Sequence, residues 1–81
     1  MNSMRPPLTL YSTWGCHLCE QAQQLLLDAG QSGQFQVVDI VDDDAAFARY
    51  RLAIPVLKQG DNELYWPFDA CQLDRWLKDV R

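Results

Sequence analysis

Cys16 and Cys19 stand two residues apart in Trp14-Gly15-Cys16-His17-Leu18-Cys19, after a short apolar run and before a helical pattern. On a helix, positions i and i+3 share a face with Cβ atoms about 5–6 Å apart, close enough that a small adjustment permits an S–S bond. Such a pair can open and close as a dithiol. The attacking species is a thiolate, and a free thiol of pKa about 8.5 is mostly protonated at neutral pH. A helix N-terminus favours the anion through its unpaired N–H groups and the positive end of its dipole. The pattern puts Cys16 where the helix starts and Cys19 one turn in, on the side of the apolar stripe. Cys16 is therefore the expected nucleophile and Cys19 the resolving thiol: Cys16 attacks a substrate disulfide, and Cys19 resolves the mixed disulfide that forms.

Two other uses of the pair compete. A closed zinc site wants four ligands, and one CxxC supplies two. Cys71 and His17 are the further donors in the chain, and His17, between the cysteines, points away from their shared face. The other use is as two ordinary core cysteines. A CxxC beside a βαβ pattern favours redox chemistry, and no metal ligand is assigned.

Stepping outward from the pair, 81 residues suffice for one domain, near the lower size at which a core alone holds a fold. Hydrophobic content of 48%, with three each of Trp, Tyr and Phe, argues for a folded domain over a disordered chain. The net charge of −4 argues against nucleic acid, which demands a basic face. No apolar run is long enough for a membrane span, and the start, Met1 to Pro7, has no apolar core of a signal peptide. Three cysteines is an odd count, unlike the disulfide framework of a secreted mini-protein. A reducing cytoplasm is the expected setting, where disulfides are mostly transient and catalytic.

Along the chain, residues 1–7 form a loose lead-in, since Pro6-Pro7 bars helix. A first strand is expected over about Leu8 to Ser12. Helix 1 follows over about Cys16 to Ala29, with Leu18, Cys19, Ala22, Leu25, Leu26 and Ala29 as its stripe and Gly30 as its stop. Phe35 to Val41, rich in β-branched residues, reads as a second strand buried on both faces, a central parallel strand completing a right-handed βαβ unit. Asp42-Asp43-Asp44 reads as acid at the N-terminus of helix 2, about Asp43 to Arg51, with Ala46, Phe47 and Tyr50 inward. Leu52 to Leu57 is a short apolar strand headed by Pro55; composition alone favours a trans proline that starts the strand. Lys58 to Glu63 turns the chain, and Glu63 to Trp66 returns antiparallel. Asp69 as N-cap, Gln72 three residues on and Phe68 stapled to Leu73 start the last helix. Leu73, Trp76, Leu77 and Val80 form its buried stripe, Lys78 and Arg81 complement its end, and Cys71 reads as a small structural residue.

In order, the elements read β-α-β-α-β-β-α, with CxxC opening the first helix and Ile54-Pro55 before the third strand. Tyr11-Ser12, Gly15-Cys16-His17-Leu18-Cys19, Val38-Asp39-Ile40 and Ile54-Pro55, so arranged, resemble the thioredoxin fold and within it a small glutaredoxin. The similarity spans about Leu8 to Val80. The Trp66-Pro67-Phe68-Asp69 stretch looks like that of a divergent bacterial subgroup of glutaredoxin-like proteins. The resemblance implies an α/β thioredoxin fold, a four-stranded mixed sheet flanked by three helices, in one domain over 1–81. It implies that Cys16 is the exposed nucleophile, Cys19 the resolving cysteine and Pro55 a cis proline. It further implies that Ile54 offers its backbone to a substrate peptide or to glutathione, and that Phe68 and Asp69 lie near the turn that receives glutathione's γ-glutamyl end.

The chain departs from that pattern at defined places. His17-Leu18 replaces the common Pro-Tyr or Pro-Phe, Thr13 stands where a lysine is frequent, and bulky residues within Tyr65-Trp66-Pro67 replace a Gly-Gly. Rings at Trp14, Tyr65 and Trp66 then suggest an apolar rim suited to a protein substrate. A protonated His17 would lower the Cys16 pKa and make the disulfide more oxidising. The expected function is a monomeric thiol–disulfide oxidoreductase acting on a disulfide-containing protein or on glutathione. Glutathione enters as a co-substrate, and no tightly bound cofactor is expected. The alternatives are a metal or iron–sulfur carrier, and a docking module with vestigial cysteines.

Overall fold

The computed structural model describes residues 6–80. The first five residues of the expected lead-in, and Arg81 with its expected role at the end of the last helix, lie outside the described residues. The strands are β1 (Leu8–Ser12), β2 (Phe35–Asp39), β3 (Val56–Gln59) and β4 (Asn62–Tyr65). The helices are α1 (His17–Asp28), α2 (Asp44–Tyr50) and α3 (Ala70–Asp79). The sheet order is β2-β1-β3-β4, with β1 parallel to β2 and the other neighbours antiparallel. Four mixed strands and three helices make this an α/β structure of thioredoxin-like fold.

Alternation along the strands sorts two cores onto the two sheet faces. On one face Leu8, Leu10 and Leu57 meet Ala22 and Leu26 of α1, Leu73 and Leu77 of α3, and Phe68. On the other, Val56 packs with Ile40 and with Ala46 and Tyr50 of α2, flanked by Tyr11 and Ile54. Each fully buried large aliphatic side chain contributes about 1.5–3 kcal/mol. The stop of α1 is a Schellman motif: Gly30, at φ 78°, lets its own N–H reach Leu27 O at 3.1 Å and that of Gln31 reach Leu26 O at 3.0 Å. Asp43 caps α2, and Asp69 with Gln72 closes a reciprocal capping box on α3.

Several expectations shift. The second strand is not central but lies at the edge of the sheet, with Val37 half-exposed; β1 and β3 hold the interior positions. β-branched composition fits any pleated strand, so it could not distinguish edge from centre. That strand also stops at Asp39, because the Asp39 carboxylate accepts the Val41 N–H and starts a single 3₁₀ turn, Ile40–Asp42. Phe47 faces outward: Ala46 and Tyr50, four apart, own the inner face of a seven-residue helix. Leu18 and Ala29 are likewise exposed, the inner face of α1 being Cys19, Ala22 and Leu26. β3 begins at Val56 and runs to Gln59, leaving a two-residue Gly60-Asp61 turn before β4. Cys71 is exposed, with Arg75 Nη2 donating toward its sulfur at 3.5 Å, so it packs in no core.

Leu57→Ala, at a site with no exposed surface, is expected to lose about 2–5 kcal/mol of unfolding free energy in urea. Phe47→Ala should lose less than about 1 kcal/mol in the same titration, because its side chain is outside the core.

Candidate active site

The cysteine pair hangs from the end of β1, an interior strand. After Ser12 the chain turns through Thr13, Trp14 and Gly15, and Cys16 N–H donates to Thr13 O at 3.3 Å. Gly15 sits at φ 79°, the positive value that the third position of a type II turn needs. Nothing lies within 4 Å of a Cβ placed there, so the glycine serves the backbone rather than space. Thr13 Oγ1 donates to Asp39 Oδ1 at 3.2 Å, fastening this turn to the end of β2.

Cys16 is the N-cap of α1, in the role that Ser, Thr or Asp commonly takes. Its Sγ accepts the Cys19 N–H at 3.1 Å. The sulfurs of Cys16 and Cys19 are bonded to one another, with Cα atoms 5.2 Å apart. The two residues differ in access: Cys16 is half-buried, whereas Cys19 is 4% exposed and directed inward with Ala22. His17 is exposed, its Nδ1 3.9 Å from Glu20 Oε1.

Strand register brings the other predicted residues to the same end of the sheet. Tyr11 pairs with Val56, the first residue of β3, so Pro55 follows directly beside the exit of β1 toward Cys16. Val56 also pairs with Tyr65, the last residue of β4, which places Trp66 to Asp69 at this end too. The Ile54–Pro55 bond is cis, as the resemblance implies, and so is Trp66–Pro67, which the sequence did not suggest. Pro55 is fully buried, Ile54 half-buried, and Trp66 N–H donates to Pro55 O at 3.3 Å. Phe68 is turned into the core, edge-on to Trp66 at 5.0 Å. The Asp69 side chain is exposed and occupied in capping α3. The apolar rim is thus narrower than expected, since Trp66 leans on the core. Trp14 is 93% exposed, and Leu52 in the loop entering β3 is nearly as bare.

A cluster that the sequence did not reveal lies between α2 and β4. Glu63 receives Arg49 through two N–H donors, Nε to Oε2 at 2.9 Å and Nη2 to Oε1 at 3.1 Å. Tyr65 Oη donates to Oε1 at 3.1 Å, and Tyr50 Oη donates to Oε2. The Arg49 guanidinium lies over the Tyr50 ring, which packs on Tyr11 at 4.7 Å between centroids. Hydrogen bonds from Arg49, then Tyr50, hold the Glu63 carboxyl down at about 2. Burial, then the adjacent carboxylate, pushes the Tyr50 hydroxyl up to about 12. No short motif announces this cluster, because Tyr50 and Arg49 sit 13 and 14 residues from Glu63 in sequence, and only Tyr65 is near it.

The profile of the Glutaredoxin-like domain (DUF836) family matches residues 7–78. The X-ray structure of the structural-genomics target protein XcR50 from X. campestris is similar, with a TM-score of 0.80 at 46% identity. That match covers 89% of this chain and 96% of that one. Its solution structure gives 0.78 at 46% identity over 90% and 94% of the two chains. The solution structure of protein Ne2328 from Nitrosomonas europaea gives 0.68 at 26% identity over 94% and 98%. No curated protein matches.

The depressed Glu63 carboxyl has a consequence for acid stability. A carboxyl whose folded value lies below the ordinary 4.5 adds stability that is complete above that pH and fades as pH falls toward about 2. Glu63→Gln should therefore cost about 1–2 kcal/mol at neutral pH, a figure reduced for the solvent-exposed side of Arg49. Urea titrations of both proteins between pH 7 and 2 should show that gap closing only in the acid range.

Proposed function

Because the chain belongs to the glutaredoxin-like domain family, we propose that it is a thiol–disulfide oxidoreductase exchanging two electrons through the Cys16–Cys19 pair. The bonded pair in such a domain supports a redox-type role. The observation that carries the finer reading is the asymmetry of the pair: Cys16 caps the helix with an amide on its sulfur, while Cys19 is shut in behind it.

In the reduced protein the Cys16 thiolate attacks one sulfur of a substrate disulfide. That S–S bond breaks, a bond between Cys16 and the substrate sulfur forms, and the departing thiolate takes a proton from water. Deprotonated Cys19 then attacks the Cys16 sulfur. The second substrate thiolate leaves and is protonated, and the Cys16–Cys19 disulfide remains. The substrate has gained two electrons and two protons, and the protein has lost them. Two molecules of a thiol such as glutathione, acting as co-substrate, restore the dithiol by the reverse exchange and leave as their own disulfide.

The helix N-terminus stabilises the attacking anion, and a protonated His17 adds to it from the exposed side. Ile54 and Pro55, beside the exit of β1, form the other wall against which the substrate lies. The bare indole of Trp14, together with the exposed Leu52 of the chain entering β3, favours a protein disulfide as substrate. A reducing cytoplasm is the setting that keeps such a pair cycling.

Cys16→Ser is expected to abolish reduction of insulin disulfides by the protein with glutathione as donor. Cys19→Ser should instead accumulate a stoichiometric mixed disulfide on Cys16, read by mass spectrometry. Full activity of the Cys16→Ser variant would exclude the proposed mechanism.

A further inference from the structure

The network at Glu63 reaches both supports of the Ile54–Pro55 segment, which lies beside the exit of β1 toward Cys16. Tyr50 O accepts two backbone donors, Ala53 N–H at 2.8 Å and Ile54 N–H at 3.1 Å, and so shapes the turn into Pro55. On the far side of that proline, its carbonyl is held by Trp66 N–H, the residue after Tyr65. Tyr50 and Tyr65 are thus the two posts between which Ile54–Pro55 is slung, one at the end of α2 and one at the end of β4. Their hydroxyls meet on one carboxylate, that of Glu63.

We infer that Glu63 is a positioning residue for the exchange reaction, setting where the Ile54–Pro55 wall stands relative to Cys16. This rests on the oxidoreductase reading above. Glu63 touches neither cysteine. Its carboxylate takes four donors, two from Arg49 and one from each tyrosine, and its side chain is only 16% exposed. A surface ion pair with a long, free arginine would fix little. Here the second and third partners are rigid rings, Tyr50 packed on Tyr11 of β1 and set edge-on to Tyr65 at 6.3 Å. The position of α2 relative to β1 and β4 is therefore locked at the level of the loop between them. Lys58, opposite Glu63 on β3, is the other charged group on this face of the strand pair.

The test is steady-state kinetics on the full chain, comparing the wild type with Glu63→Gln and Tyr50→Phe. Insulin serves as the large disulfide and hydroxyethyl disulfide as the small one. Tyr50→Phe keeps the ring and removes only the hydroxyl, so it decides the matter if Glu63→Gln does not fold. The expected result is a KM for insulin raised about fivefold or more, with kcat changed by less than about twofold. KM for hydroxyethyl disulfide and the rate of alkylation of reduced Cys16 by iodoacetamide should stay at wild-type values. An unchanged KM for insulin overturns the inference, as does a parallel shift in alkylation rate, which signals general loosening. A wild type unable to reduce insulin overturns the oxidoreductase reading itself and this inference with it; an active wild type with an unshifted variant overturns this inference alone.

Discussion

One backbone amide organises the start of α1: the N–H of Cys19 points at the sulfur of Cys16 from 3.1 Å. It is among the first donors of α1, which have no partner inside the helix. Whatever caps that end receives both the hydrogen bond and the positive end of the dipole. In most helices the cap is an oxygen. Here it is a sulfur, and the residue that supplies the amide carries the second sulfur. The cap and the disulfide are therefore one local structure, and the i, i+3 spacing that suits a cap also suits a disulfide.

The rest of the fold keeps this local structure in register with a second wall. β1 occupies the interior of the sheet, so its end is flanked on one side by the end of β2 and on the other by the start of β3. Asp39, at the end of β2, holds Thr13; Pro55, just before β3, stands beside the exit of β1. Two separate cores clamp the strand from opposite faces, with Leu10 in one and Tyr11 against the other. A single strand thereby transmits the packing of all three helices to the turn before Cys16. The Glu63 network adjoins the remaining member of this arrangement, the loop between α2 and β3, in which Ala53, Ile54 and Pro55 pack inward while Leu52 is out in solvent.

What could be read from the chain follows how local each feature is. The CxxC at a helix start, the capping box at Asp69 and Gln72, the stop at Gly30 and the inward leucines of α3 are all written within one or two turns of sequence, and each stands where expected. The position of β2 was not legible, because its neighbours are fixed by pairing with distant strands rather than by its own residues. Phe47 and Leu18 misled for a related reason. A run of adjacent apolar residues on a short helix gives more than one candidate inner face, and only the packing partner selects among them. Glu63 looked like a polar turn residue beside Asp61 and Asn62. Tyr65 stands two residues away on the same strand, but Arg49 and Tyr50 reach the carboxylate only after α2 has folded across β4.

The most direct measurement is a titration of the Cys16–Cys19 pair in glutathione buffers of graded potential, with mass analysis of each sample. The account predicts one concerted two-electron transition, in which the peptide holding Cys16 and Cys19 loses two hydrogens while Cys71 takes no part. Two cysteines that titrate independently of each other, or that stay as thiols throughout the oxidising range, would contradict it.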